Sequence, residues 1–191
     1  MTPAATADVL HDDALSLLRA WNAPDEAQSR LRARYLAHLE QHPDGLSRSC
    51  FPDHLTASTL ILSDDGSQVL LTLHAKAGAW FQMGGHCEPG DATLAGAALR
   101  EAVEESGIAD LDLDPRPVQL NAHPVPFCSP RGTVDHLDVR FVAVAPESSR
   151  HTVSEESLDV RWFPWDALPT QDADMHDLVR LARARSATSR T

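Results

Sequence analysis

Three carboxylates crowd the end of one short segment, Leu99-Arg100-Glu101-Ala102-Val103-Glu104-Glu105-Ser106-Gly107. Its spacing predicts the last turns of a helix closed by Gly107. At roughly 100° per residue, and with Glu101 at zero, Glu105 falls at about 40° and Glu104 at about −60°. The three acids therefore share one arc. Leu99 and Val103 lie opposite, beside Ala95 and Gly96, as a small apolar face suited to packing on a sheet. One reading of the acidic arc is a solvated helix face. Two costs oppose it: like charges at i,i+3 and i,i+4 destabilise a helix by about 0.2–0.5 kcal/mol per pair. Acids in a last turn oppose the helix dipole by about 0.3–1 kcal/mol each. A divalent cation removes both costs, because Mg²⁺ and Mn²⁺ take hard oxygen ligands. Glu101, Glu104 and Glu105 are accordingly candidate metal ligands.

The elements that must position these acids are legible around them. Asp8 to Trp21 carries Val9, Leu10, Ala14, Leu17, Leu18 and Trp21 at helical spacing, and Pro24-Asp25-Glu26 opens a second helix through Leu31, Tyr35, Leu36 and Leu39. This helical pair either packs on the main domain or forms a partner interface, with a homodimer as the partner case. From His54 the period changes to that of strands. LTASTLILS and QVLLTLHA flank Asp64-Asp65-Gly66-Ser67, a hairpin signal. AWFQMGG reads as one short strand entering a glycine turn. PVQLNAHPVPFCS and DHLDVRFVAVA read as two more, the first an edge or bulged strand because of its prolines. SEESLDVRWFP adds a loop and a strand, PWDALP a short helical turn, and Asp172 to Arg185 a final amphipathic helix with Met175, Leu178, Val179 and Ala182 inward. Helices appended to a mixed sheet make a three-layer α/β/α arrangement.

The charge and cysteine content narrow the function classes. Lys and Arg number 16 against 28 Asp and Glu, a formal net charge of −12. Such a surface repels nucleic-acid backbones and anionic membranes. Cys50, Cys87 and Cys128 are far apart and form no CxxC pair, which argues against a disulfide framework and a structural zinc site. No segment reads as a targeting peptide or membrane span, so the cytoplasm is the expected compartment.

Gly85-His-Cys-Glu-Pro-Gly-Asp91, followed by Arg100-Glu-Ala-Val-Glu-Glu-Ser-Gly107-Ile108, resembles the Nudix box. The second half matches; in the first, Asp91 stands where that family has Glu, and one extra residue precedes Arg100. The resemblance spans roughly residues 54–185. It divides the chain into a helical extension (1–53), a hydrolase domain (54–186) and a frayed tail (187–191).

The resemblance implies hydrolysis of a nucleoside diphosphate linked to another moiety, a small-molecule diphosphate substrate, and Mg²⁺ or Mn²⁺ as cofactor. Glu101, Glu104 and Glu105 would be ligands, with the Gly85 carbonyl a fourth. Arg100 and Asp91 would brace the loop, and Gly107 would end the helix. The general base would be a box acid, Glu104 or Glu105, or a loop acid, Glu155 or Glu156, with Asp135 weaker. His136, Asp138 and Arg140 alternate along one strand, so they line a pocket or form a partly buried ion pair. Trp80 and Phe81 precede the box and could stack on a base, although sheet core suits at least one of them. Two alternatives stand beside hydrolysis. One is an isopentenyl-diphosphate isomerase-like enzyme, drawing on His74, His86, Cys87 and Glu88. The other is a nucleotide-binding module without turnover.

Overall fold

The computed structural model describes residues 3–147, 149–153 and 157–189. Glu155 and Glu156, the two loop acids, lie outside the described residues. The chain begins with two helices, α1 (Pro3–Ala20) and α2 (Glu26–Gln41). Asp25 starts α2 by accepting the Gln28 amide on its side chain, as an N-cap acid at the positive end of a helix should. Strands β1 (Asp53–Leu62) and β2 (Gln68–His74) form the expected hairpin, with Leu62 opposite Val69. AWFQMGG is two strands rather than one: β3 (Ala79–Phe81) pairs with β2, and β4 (Met83–His86) pairs with β1. The box helix α3 runs Leu94–Ser106. Next come β5 (Asp112–Ser129), β6 (Gly132–Val144), β7 (Ser157–Pro164) and α4 (Ala173–Ser189). Residues 165–167 are a turn, not the short helix expected of PWDALP. The last helix reaches into the segment expected to fray.

The sheet order is β3-β2-β1-β6-β5, with β4 also on β1 and β7 also on β2. The proline-bearing β5 is both terminal in that order and irregular, its register slipping between Asp114 and Gln119 and again between Val125 and Ser129. A ladder needs N–H donors on both sides, and an edge position tolerates their loss. Parallel pairing of β1 with β6 sets Asp53 beside Asp135 and continues in step to Leu62 beside Val144. Alternation then divides the side chains into two layers. Leu55, Ala57, Leu137, Val139 and Phe141 point toward the layer of α1, α2 and the start of α3. Leu60, Leu62, Val69, Leu71 and Val142 point toward α4, where Met175, Leu178, Val179 and Ala182 are all buried. This is the α/β/α arrangement.

The N-terminal helices bury their apolar faces on the sheet. Ala14, Leu18 and Tyr35 are fully enclosed. Trp21 Nε1 donates to the Pro117 carbonyl at 2.7 Å, and the Tyr35 hydroxyl to that of Asn121 at 2.8 Å. Asp13 on α1 accepts the Leu94 amide at 2.8 Å, so the extension supplies a carboxylate to the first turn of the box helix. Among the described residues no helix is long and apolar enough to cross a membrane.

Candidate active site

Helix α3 starts and stops on its own sequence. Thr93 accepts the Gly96 amide at 2.9 Å, and Gly107 closes the helix at φ 72°, the left-handed conformation that glycine adopts without a Cβ clash. The apolar residues buried against the sheet are Leu94, Ala97, Ala98 and Ala102, not the expected face: Ala95, Leu99 and Val103 are only partly buried, and Gly96 is exposed. The buried arc overlaps that of Glu101 and Glu105, because this side of α3 packs on β1 and β4. The acidic face turns toward β4 and the solvent beside it. Glu105 is buried, and its Oε2 accepts the Gly84 amide at 2.9 Å. Glu101 lies against Gly85 so closely that a Cβ built there would come within 2.7 Å of all three carboxylate atoms. Glu104 stays exposed. Desolvation raises the Glu101 pKa above the ordinary carboxylate value, against the lowering effect of Arg100. A half-buried carboxylate in that state gains from a nearby cation.

The one-residue insertion does not separate Asp91 from Arg100. The two form a fork: Arg100 Nε donates to Asp91 Oδ1 at 3.1 Å and Nη2 to Oδ2 at 3.0 Å. Asp91 also accepts the Glu88 amide at 2.7 Å, which tightens the loop and takes up the extra residue. Arg100 Nη2 further donates to the His86 carbonyl, and Nη1 reaches Glu101 at 3.0 Å and Glu104 at 3.2 Å. The guanidinium thus braces the loop and neutralises part of the acidic arc.

Beside this helix end opens a cleft of about 560 Å³. Gly84, Gly85 and Glu105 form one wall, whereas Glu101 and Glu104 do not line it. The floor is a buried polar network. Asp138 accepts from Ser58 Oγ at 2.7 Å, Thr56 Oγ1 at 3.1 Å, Gln82 Nε2 at 3.3 Å and Arg140 Nε at 3.0 Å. Arg140 in turn donates to Gln119 and Asp174. Both expectations for this strand therefore hold together: Asp138 and Arg140 line the cleft and are ion-paired. His136 also faces the cleft. Phe81 lines it and is 38% exposed. Trp80 instead packs edge-on against Phe163, with ring centroids 4.8 Å apart, and belongs to the core beneath α4. Asp135 faces α2, where it pairs with Arg34 at 2.8 Å, away from the cleft.

The isomerase grouping is not assembled. Cys87 packs against the α1–α3 core, and burial, with Asp91 adding, pushes its thiol up to about 12. His74 and His86 line the cleft, and Glu88 is exposed. Sequence reasoning missed Thr56, Ser58, Gln82, Phe127 and Cys128, all cleft-lining. None belongs to a motif; their convergence depends on strand register. Burial and mutual proximity lower the imidazoles there, His86 to about 4 and His136 to about 3.

The model of the NUDIX domain matches residues 52–182. The chain belongs to the Nudix family. Its fold is similar to that of a C. elegans Ap4A hydrolase (21% identity, TM-score 0.56, covering 70% of this chain and 98% of the other). It is similar also to the E. coli dihydroneopterin triphosphate pyrophosphohydrolase (18%, TM-score 0.58, 69% and 95%). A third likeness is to the NUDIX domain of Shewanella oneidensis NrtR, solved with ADP ribose (19%, TM-score 0.54, 81% and 97%). No curated protein matches the chain.

Proposed function

We propose that this chain is a divalent-cation-dependent hydrolase that cleaves the diphosphate bond of a nucleoside diphosphate linked to a second moiety. The observation that carries this reading is the seating of the box acids against the glycines of β4. Glu105 holds the Gly84 amide and Glu101 fills the space over Gly85, directly beside the cleft. An all-oxygen donor set of Glu101, Glu104, Glu105 and the Gly85 carbonyl suits Mg²⁺ or Mn²⁺. Such a cation, when bound, neutralises diphosphate charge and lowers the pKa of water.

The remaining roles fall to the chain's own side chains. Arg100 and Asp91 fix the loop, so that Gly85 and Glu101 keep their spacing. Glu104 or Glu105 takes the proton from the attacking water, with Glu155 and Glu156 as the loop alternatives. Phe81 lies 6.4 Å from the His74 ring, which is itself 6.2 Å from the Phe127 ring, and the three offer a ring surface for a base. Arg48 and Lys76 at the cleft rim supply positive charge for phosphates. His136, Asp138 and Arg140 shape the floor. The same reading keeps residues 1–53 as a helical extension, 54–186 as the hydrolase domain and 187–191 as a tail, in a cytoplasmic protein.

The ligands of the structural neighbours suggest the first substrates to try. The full chain, with Mg²⁺ or Mn²⁺, is offered ADP-ribose, sugar nucleotides, dinucleoside polyphosphates and isopentenyl diphosphate. Diphosphate cleavage that falls by about 10²–10⁴-fold in Glu104→Gln or Glu105→Gln is the expected result. Isomer formation without cleavage would move the chain to the isomerase reading. Tight nucleotide binding with no turnover in either metal would leave a binding module.

A further inference from the structure

Three imidazoles and a thiol meet at one end of the cleft, apart from the box carboxylates. His54 on β1 and His136 on β6 are register partners in the parallel pair. His86 ends β4, opposite Thr56 of β1, and Cys128 lies in the irregular end of β5. Pairing across four strands therefore delivers four ligand-type side chains to one point, although no two are close in sequence apart from Cys128 and His136.

The geometry is specific. His54 Nε2 and His86 Nε2 are 3.2 Å apart. Cys128 Sγ is 3.3 Å from His86 Nε2, 3.3 Å from His136 Nε2 and 3.8 Å from His54 Nε2. All four atoms lie within 4.8 Å of one another. The ring centroids of the three histidines are 4.9 to 5.1 Å apart and none of the pairs is stacked, so it is the ring edges that converge. A tetrahedral ion with Zn–N and Zn–S bonds of ordinary length sets N···N at about 3.3 Å and N···S at about 3.6 Å. The N···S separations of 3.3 to 3.8 Å span the second value, and the His54–His86 separation of 3.2 Å lies close to the first.

Hydrogen bonding explains the cluster less well. His54 Nδ1 faces the Cys50 carbonyl at 3.2 Å and donates to it, which leaves Nε2 as a bare acceptor aimed into the cluster. Three contacts of 3.2–3.3 Å then require protons. If His86 Nε2 carries hydrogen, it serves His54, and its contact with Sγ has no proton. If it does not, Sγ–H serves His86, and the two imidazole lone pairs face each other at 3.2 Å. A single cation satisfies every contact at once.

We propose that His54, His86, Cys128 and His136 form a closed four-ligand site for a Zn²⁺-class divalent cation, separate from the oxygen ligands on α3. Imidazole and thiolate select a borderline-soft ion, as the box carboxylates select a hard one. Binding forms the metal–Sγ bond and releases the Sγ proton to solvent. Four protein ligands complete a tetrahedron, so the ion is structural. It clamps β4 to β1, β5 and β6 at His86, immediately after Gly84 and Gly85 and where the chain leaves β4 for the box loop. This inference stands whether or not the hydrolase reading does.

The test uses Co²⁺ as a spectroscopic probe and Zn²⁺ affinity measured by chelator competition on the folded full chain. One equivalent of Co²⁺ should give the intense visible bands of tetrahedral coordination and a thiolate-to-metal charge-transfer band, unchanged in Glu101→Gln. Cys128→Ser should lose the charge-transfer band. His136→Gln should weaken Zn²⁺ binding at least ~100-fold. Folded wild-type protein that shows no charge-transfer band overturns the proposal, whatever the variants do. So does a band that survives Cys128→Ser, or one lost instead in Cys50→Ser, since His42, Asp44 and Cys50 form a second grouping.

Discussion

Arg100 and Asp91 are joined by two parallel hydrogen bonds of 3.1 and 3.0 Å across a loop that is one residue longer than the Nudix box. The shorter acid and the longer loop compensate each other: Asp91 reaches Arg100 because the loop folds back through the Glu88 amide. Asp91 is nearly buried in this arrangement, and Arg100 is largely covered. Asp91→Asn should therefore cost about 1–3 kcal/mol in urea denaturation, since one fork of a charged pair is lost while the guanidinium stays covered. Unchanged stability would mean that the fork does not hold the loop.

The two glycines of β4 should fail differently. At Gly85 the nearest atoms a Cβ would meet are those of the Glu101 carboxylate, the far end of a side chain rather than backbone. Gly85→Ala should thus keep stability within about 1 kcal/mol of wild type while lowering kcat by about 100-fold through displacement of a reacting-site carboxylate. At Gly84 a Cβ would lie 2.3 Å from Ser58 Cβ and 2.7 Å from its Cα, so the backbone of β1 must move. Gly84→Ala should lose about 1–3 kcal/mol or more. Thermal melts beside steady-state kinetics separate the two effects.

The cleft floor depends on a buried pair. Asp138 and Arg140 expose 4% and 6% of their side chains. Arg140→Met leaves Asp138 charged with neutral donors only, and should cost about 3–5 kcal/mol. Adding Asp138→Asn removes the stranded charge, so the double variant should be more stable than Arg140→Met alone. A double variant as unstable as the sum of the two singles would show that the pair is not coupled.

Acid stability should depend on Asp114, which ties α4 to β5. Burial acts to raise its pKa, but hydrogen bonds from Arg116 and Arg185 overcome that and hold it to about 2, below the ordinary 3.8. A depressed carboxylate stabilises the fold above its unfolded pKa and loses that contribution as pH falls through the folded value. Asp114→Asn should therefore cost about 1–2 kcal/mol near neutral pH, after allowance for solvent screening. The difference from wild type should shrink from about pH 4 downward and vanish near pH 2. A constant difference across that range would remove the ion pair from the account.

What the sequence determined by itself was local and periodic. The arc of Glu101, Glu104 and Glu105, the Gly107 stop, the β1–β2 hairpin and the inward face of α4 all follow from spacings within a few residues, which helix and strand geometry convert directly into faces. The alternation of His136, Asp138 and Arg140 was legible for the same reason. Tertiary structure decided what long-range pairing alone can decide. That Trp80 is core and Phe81 cleft depends on which side of β3 meets α4. That Asp91 reaches Arg100 depends on how the loop absorbs one residue. That Asp13 caps α3, and that His54, His86, Cys128 and His136 converge, depends on strand and helix placement between residues tens of positions apart. A chain's pattern fixes the faces of its elements, whereas the register and packing of those elements fix which side chains meet, and no single segment carries that information.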